Sequence, residues 1–151
     1  MPKIKSSIPT RKLERELAEP VIRYLREIGC QVVVPELRFF DRGVDIYGVK
    51  QSRPRRTYAV ELKLVKWQRA IQQAAVYQLC ADYSFIALPI KSALNVDLVP
   101  FKNCGVGVLT VREDGSVGRL LDAERSVERR QHYVEAMTKH AEMGDRSCLA
   151  S

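Results

Sequence analysis

Apolar residues recur at Leu13, Leu17, Val21, Leu25 and Ile28, a spacing that lays them along one side of a helix. Thr10 offers an N-cap oxygen, and Gly29 marks the stop. Pro20 lies within the stretch and predicts a kink or a restart. The period then changes. QVVVPEL is short and β-branched, and GVDIYGV and TYAVELKLV both alternate, so three strands are expected. The segment VKQSRPRR between Gly48 and Thr57 reads as a polar turn. Ala, Gln and Leu favour a helix from about Trp67 to Cys80, and YSFIALP reads as a buried strand ended by Pro89. Ile90 to Cys104 carries mixed signals, with a short helix and a loop expected. GVGVLTV is a strand that Glu113, Asp114, Gly115 and Ser116 turn toward VGRLL. Asp122 to Met143 is expected to be helical on a weak stripe of Val127, Val134, Met137 and Ala141. Fraying is expected after Gly144, and Met1 to Pro9 reads as a loose basic arm. The order predicts an α/β fold, a mixed sheet with helices on its faces.

Composition narrows the class. A chain of 151 residues suits one domain, and 46% hydrophobic with 28% charged residues excludes an unstructured chain. No apolar run approaches the roughly 20 residues of a membrane span, and the N-terminus has no apolar signal core. Cys30, Cys80, Cys104 and Cys148 are scattered without a C-x-x-C pair, so a zinc site is not expected. Cys30 and Cys80 read as core residues, and a reducing, cytoplasmic setting is expected. His132 and His140 are expected to be exposed. Ser/His/Asp groupings and Gly-rich phosphate loops are absent. The net charge of +7 favours a polyanionic partner.

Chemistry concentrates on one strand. Alternation places Tyr58, Val60, Leu62 and Leu64 on one face and Ala59, Glu61 and Lys63 on the other. A carboxylate and an ammonium in an apolar strand cost desolvation unless they are paired or liganded. In the preceding strand Val44 and Ile46 are expected to point one way and Asp45 the other. Pairing of the two strands would bring Asp45 to Glu61. Two close carboxylates repel and raise each other's pKa, which a divalent cation relieves. Asp45, Glu61 and the backbone carbonyl of Leu62 offer the oxygen donors that Mg²⁺ prefers. Lys63 beside them can polarise water or neutralise charge on phosphate oxygens. A solvated Glu-x-Lys pair on an edge strand is the plain alternative; Asp45 and the downstream helix weigh against it.

The motif formed by RGVD ending at Asp45 and by Glu61-Leu62-Lys63 resembles that of the PD-(D/E)XK nuclease superfamily, which includes restriction endonucleases, Holliday-junction resolvases and RecB-type domains. Val44 stands where that family often has proline. The first helix, RKLERELAEPVIRYLREIG, is similar to resolvase-like members that place a metal-binding glutamate there. Glu14 is the first choice, with Glu16 and Glu19 as alternatives. Gln73 and Tyr77 match the RecB-like Q-x-x-x-Y spacing and share a helix face. The resemblance covers Leu13 to Pro89. It implies a restriction endonuclease-like core of helix, three strands, helix and strand over residues 10–89. Residues 90–121 would extend the sheet and 122–151 would form a C-terminal helix and tail, all in one domain. It implies a DNA endonuclease or exonuclease dependent on Mg²⁺, with Mn²⁺ able to substitute. The implied catalytic set is Asp45, Glu61, Lys63, Glu14, Gln73 and Tyr77. Asp45, Glu61, Glu14 and the Leu62 carbonyl would hold the metal.

Phosphate contacts are expected from Arg38 and Arg42, from Arg53, Arg55 and Arg56, and from Lys66 and Arg69. A homodimer would suit double-strand cutting. The competing reading is a nuclease-fold DNA-binding or accessory module without catalysis, because fold alone does not fix function. An enzyme acting on something other than nucleic acid ranks last.

Overall fold

The computed structural model describes the backbone of residues 10–150 and the side chains of residues 13–144. The predicted N-terminal arm lies outside the described residues, as do the side chains of Thr10 and Cys148. The first apolar stripe divides into α1 (Thr10–Arg15) and α2 (Ala18–Glu27). Pro20 sits in the first turn of α2, where its missing N–H costs nothing, so the helix restarts before the proline. Leu17, Val21 and Leu25 are buried. Gly29 follows α2 at φ +114°, and Cys30 N–H donates back to the Leu25 carbonyl at 2.9 Å.

Six strands lie side by side in chain order. β1 (Val32–Phe39), β2 (Arg42–Lys50) and β3 (Arg56–Leu62) form an antiparallel meander. A crossover through α3 (Trp67–Tyr77) makes β4 (Tyr83–Pro89) parallel to β3. A second crossover through α4 (Ile90–Ala93) and α5 (Val99–Cys104) makes β5 (Gly107–Val111) parallel to β4. β6 (Val117–Leu121) turns back antiparallel, and α6 (Gln131–Ala150) closes the described chain. The sheet is therefore mixed and open. Pro35 sits in β1 at the sheet edge, where a missing N–H breaks no ladder.

Helices cover both faces. On one, α2 packs on Val60, Leu62, Phe85, Ala87 and Leu109. On the other, Met137 and Ala141 of α6 pack with Val32, Val49 and Ala59, while Ala70, Ala74 and Phe101 meet Ile86, Leu88 and Val108. Gly48 permits the close approach of α2: a Cβ there would sit 3.1 Å from Cys30 Sγ and 3.2 Å from Leu25 Cδ1. Cys30 and Cys80 are buried, as expected. Among the described residues no helix is long and apolar enough to cross a membrane.

Three expectations need correction. β1 runs past QVVVPEL to Phe39, so β1 and β2 form a tight hairpin. α6 stays helical in its backbone to Ala150 instead of fraying after Gly144. Residues 122–130 are not helical, and Val127 is 90% exposed. Asp82 explains the last difference. It is buried, and its Oδ2 accepts from both Thr57 N–H (2.9 Å) and Thr57 Oγ1 (3.0 Å). Its Oδ1 accepts from Arg125 Nε at 2.9 Å, with Arg129 Nε at 3.5 Å. Ser126 N–H donates to the Asp82 carbonyl at 2.7 Å. These bonds, with those from Ser126 Oγ to the Gln78 carbonyl and from Arg130 N–H to the Leu79 carbonyl, hold the 122–130 segment in an irregular path along the connection between α3 and β4, and they outweigh its weak helical periodicity.

Removing one partner of a buried pair leaves the other polar groups uncompensated. Asp82→Ala is therefore expected to lower unfolding stability by roughly 3–5 kcal/mol in urea titration. Arg125→Ala should cost less, because Arg125 is half exposed and Arg129 still faces the carboxylate.

Candidate active site

The β2–β3 ladder pairs Ile46 with Val60 and then ends. One step further, Asp45 and Glu61 face each other. Simple alternation does not deliver them there. Val44 joins the α6-side cluster and Ile46 the α2-side cluster, so β2 turns at Asp45 and the expectation that Val44 and Ile46 share a face is corrected. Across from Asp45, Glu36 of β1 has φ +55°, an uncommon conformation for a residue with a side chain. The local twist brings the Asp45 carboxylate over the end of β3, where its Oδ2 accepts from Leu62 N–H at 2.8 Å. An extended residue directs N–H and C=O to one side of its strand, so the Leu62 carbonyl shares the Asp45 side.

Glu61 is 7% exposed. Tyr77, the last residue of α3, puts its hydroxyl 2.8 Å from Glu61 Oε2 and 3.0 Å from the Gly43 carbonyl. That hydroxyl ties α3 to the ends of β3 and β2. Gln73 lies one helical turn earlier and lines the same cleft. The Asp45 and Glu61 side chains are close enough for each to alter the ionisation of the other. Burial is the first cause that raises each pKa; the Asp45 charge adds to it at Glu61, which is pushed up to about 8. Leu62 N–H and Lys63 act in the opposite direction on Asp45. Burial, then the Glu61 charge, raises the Tyr77 phenol and keeps it protonated.

Asp45, Glu61, Lys63 and Gln73 line a cleft of about 890 Å³, with Glu14, Arg15, Ala18 and Ile22 on one wall and Pro35, Glu36, Arg38 and Gly43 on another. Lys63 follows β3 directly, its N–H donating to the Ala87 carbonyl at 3.0 Å. Its Nζ stands 4.0 Å from Glu14 Oε1. Of the three first-helix glutamates, Glu14 lines this cleft; Glu16 and Glu19 are exposed, and Glu16 lines a separate depression. Glu14 thus stands beside Lys63 on the wall of the cleft, and Glu36 adds a further negative charge that acts on Asp45. Among the described residues no group of three or more His, Cys, Asp or Glu is gathered as a metal site. The donor chemistry nevertheless fits a hard divalent ion. Two carboxylates forced together and a backbone carbonyl are all oxygen donors, and the pair must carry either a proton or a cation.

The basic residues divide by position. Arg38 is on the cleft wall. Arg42 is exposed and close enough to Tyr77 for its charge to offset part of the burial and Glu61 charge that raise the phenol. Lys66 and Arg69 are exposed at the start of α3, a few residues after Lys63. Arg53, Arg55 and Arg56 lie elsewhere. The pair Lys50–Arg56 is at the opposite end of the β2–β3 ladder from Asp45 and Glu61, and Arg55 approaches Glu142 of α6 at 4.0 Å. His132 and His140 are exposed. Glu36 was not singled out by sequence. Its place opposite Asp45 depends on the register and on a positive φ, and no spacing rule announces either.

A buried carboxyl with a raised pKa destabilises the fold once it must ionise. Below the ordinary value of 4.5 Glu61 is protonated in folded and unfolded chains alike. As pH rises from there to about 8, the unfolded chain releases its proton first, and stability falls. Metal-free protein should thus lose stability across that window, and the loss should shrink on adding Mg²⁺. Glu61→Gln should remove most of the slope and stabilise the metal-free protein at pH 8 by roughly 1–3 kcal/mol, read from denaturation at several pH values.

No protein-family model and no curated protein matches this chain. Among solved structures the chain is similar to the SPO1766 protein of unknown function from Silicibacter pomeroyi. That likeness has a TM-score of 0.71 and 17% sequence identity, and covers 95% of this chain and 90% of the other. At that identity the likeness is one of fold.

Proposed function

We propose that this chain is a metal-dependent DNA phosphodiesterase of the PD-(D/E)XK kind, with a restriction endonuclease-like core over residues 10–89. One observation carries the reading: Asp45, Glu61 and Lys63, separated in sequence, line one cleft whose two carboxylates are buried against each other. Such a pair gains most from a divalent cation, and it is costly for a protein that binds none. The element order and the net charge of +7 support the same reading.

Asp45, Glu61 and the Leu62 carbonyl would hold Mg²⁺ or Mn²⁺, which supplies Lewis acidity toward the phosphate and lowers the pKa of a bound water. The chain's own groups do the rest. Tyr77 holds Glu61 in place through its hydroxyl. Lys63, restrained by its N–H bond to β4 and by Glu14, neutralises charge growing on the phosphate oxygens and orients the attacking water. The Gln73 amide can bond a phosphate oxygen or that water. Arg38 and Arg42 hold the strand entering the cleft, and Lys66 and Arg69 the strand leaving it. Arg53, Arg55 and Arg56 would meet only a longer duplex. Two copies would be needed to cut both strands together.

The catalytically silent DNA-binding module is the second reading. It is favoured by the absence, among the described residues, of a gathered triad of metal ligands. The test is cleavage of linear, circular and branched DNA in Mg²⁺, Mn²⁺ or EDTA. Wild type should cut only with metal, and Lys63→Ala should lose roughly 10²–10³-fold of the rate while remaining folded. A folded Lys63→Ala that cuts as fast as wild type would overturn the assignment of catalysis to this cleft, and wild type that neither binds nor cuts DNA would overturn the nuclease reading. Wild type that binds DNA but never cuts would establish the second.

A further inference from the structure

The hairpin between β1 and β2 ends in an aromatic residue where glycine is expected. Phe39 pairs with Arg42, leaving Phe40 and Asp41 as the two turn residues. Phe40 alone of the two has a positive φ, +57°, the sign pattern of a hairpin turn that favours glycine at its first position. A bulky side chain in that region is a strained choice. Phe40 is 69% exposed as a residue, yet its ring is held from two sides. Its centroid lies 4.8 Å from that of Phe39 and 5.3 Å from that of Tyr133 on α6, both edge-to-face. Phe39 and Tyr133 also meet edge-to-face at 5.4 Å. The result is a buttressed aromatic tip.

The position of this tip indicates what it would touch. Arg38 and Gly43, which pair with each other one register step from Phe39 and Arg42, line the carboxylate cleft. Arg38 and Arg42 flank the turn with positive charge, with Asp41 the acidic exception. Basic groups that track a backbone beside an exposed, rigid ring are the combination that single-stranded nucleic acid uses, because every base has a face to stack.

We propose that Phe40 is a stacking platform for an unpaired base of the DNA strand entering the cleft. The idea rests on the DNA reading of that cleft. The chain would then prefer substrates with single-stranded or frayed character next to the cut. The backbone gives a clean test. Phe40→Gly removes the ring while suiting the positive φ, and Phe40→Asn tolerates the same conformation.

Binding would be measured with full-length protein in Ca²⁺, using a dye-labelled single strand, the matched duplex and a fork carrying 2-aminopurine in its unpaired arm. Wild type should quench the 2-aminopurine. Both variants should keep the fold by circular dichroism, lose the quenching and bind the single strand about 10- to 100-fold more weakly. Their duplex affinity should change little, and Phe40→Tyr should restore binding. Equal single-strand affinity in wild type and both folded variants would overturn the platform and leave the nuclease reading standing, provided that wild type still cuts DNA with metal. Wild type that binds none of the three DNAs would overturn both. A self-associating wild type, made monomeric by Phe40→Gly without any change in DNA affinity, would assign the ring to contact between copies and likewise overturn the platform.

Discussion

Asp45 and Glu61 are two acids confined at the end of a ladder, where burial opposes the ionisation of both and the Asp45 charge further opposes that of Glu61. The surrounding groups answer that constraint. The Leu62 N–H is spent on the Asp45 carboxylate and not on a strand. Tyr77 reaches from the end of α3 to Glu61 and to the Gly43 carbonyl at once. Lys63 and Glu14 stand beside the pair as a second, opposite set of charges. β2 gives up regular alternation at Asp45 to bring the carboxylate inward, and Glu36 on the neighbouring strand takes an unfavourable φ at the same level. Conflicts between local preference and final structure tend to collect where a protein does its chemistry, and here they collect around one pair of side chains.

Much of the core was legible because its signals are local. Tyr58 to Leu62 alternates cleanly, so the α2-facing Val60 and Leu62 separate from Ala59 and Glu61 both in sequence and in space. YSFIALP and VGRLL correspond to β4 and β6 to the residue. Gln73 and Tyr77 lie on one side of α3 because they are one turn apart, and both reach the cleft region. What stayed hidden depends on distant partners. The face of Val44 follows from a twist set by β1, and the location of Arg53, Arg55 and Arg56 follows from hairpin direction. A loop adjacent in sequence to a catalytic strand can still lie at that strand's far end.

The C-terminal third is a clearer case of tertiary bonds overriding periodicity. Nothing in DAERSVERR announces a non-helical segment, and its one apolar residue with helical spacing, Val127, is exposed. The segment is decided by Asp82, more than forty positions from Arg125. A single buried carboxylate there joins the start of β3 through Thr57, the entry to β4, and the approach to α6. The two buried acidic positions thus take opposite roles. Asp82 is fully answered by donors from the chain itself, whereas Glu61 has the Tyr77 hydroxyl and a neighbouring acid.

Strand order in the sheet repeats strand order in the chain, and this has a consequence for assembly during synthesis. Each strand adds to the edge left by its predecessor, so none must be threaded between two that already exist, and the contacts that build the sheet remain comparatively near in sequence. The meander that aligns Asp45 with Glu61 can form before β4 has been made, and growth then continues at one edge. β1 lies at the sheet edge, carries Pro35 and packs against α6, the last described helix. Until α6 arrives, proline in the first strand is the safeguard against strand-to-strand association of nascent chains.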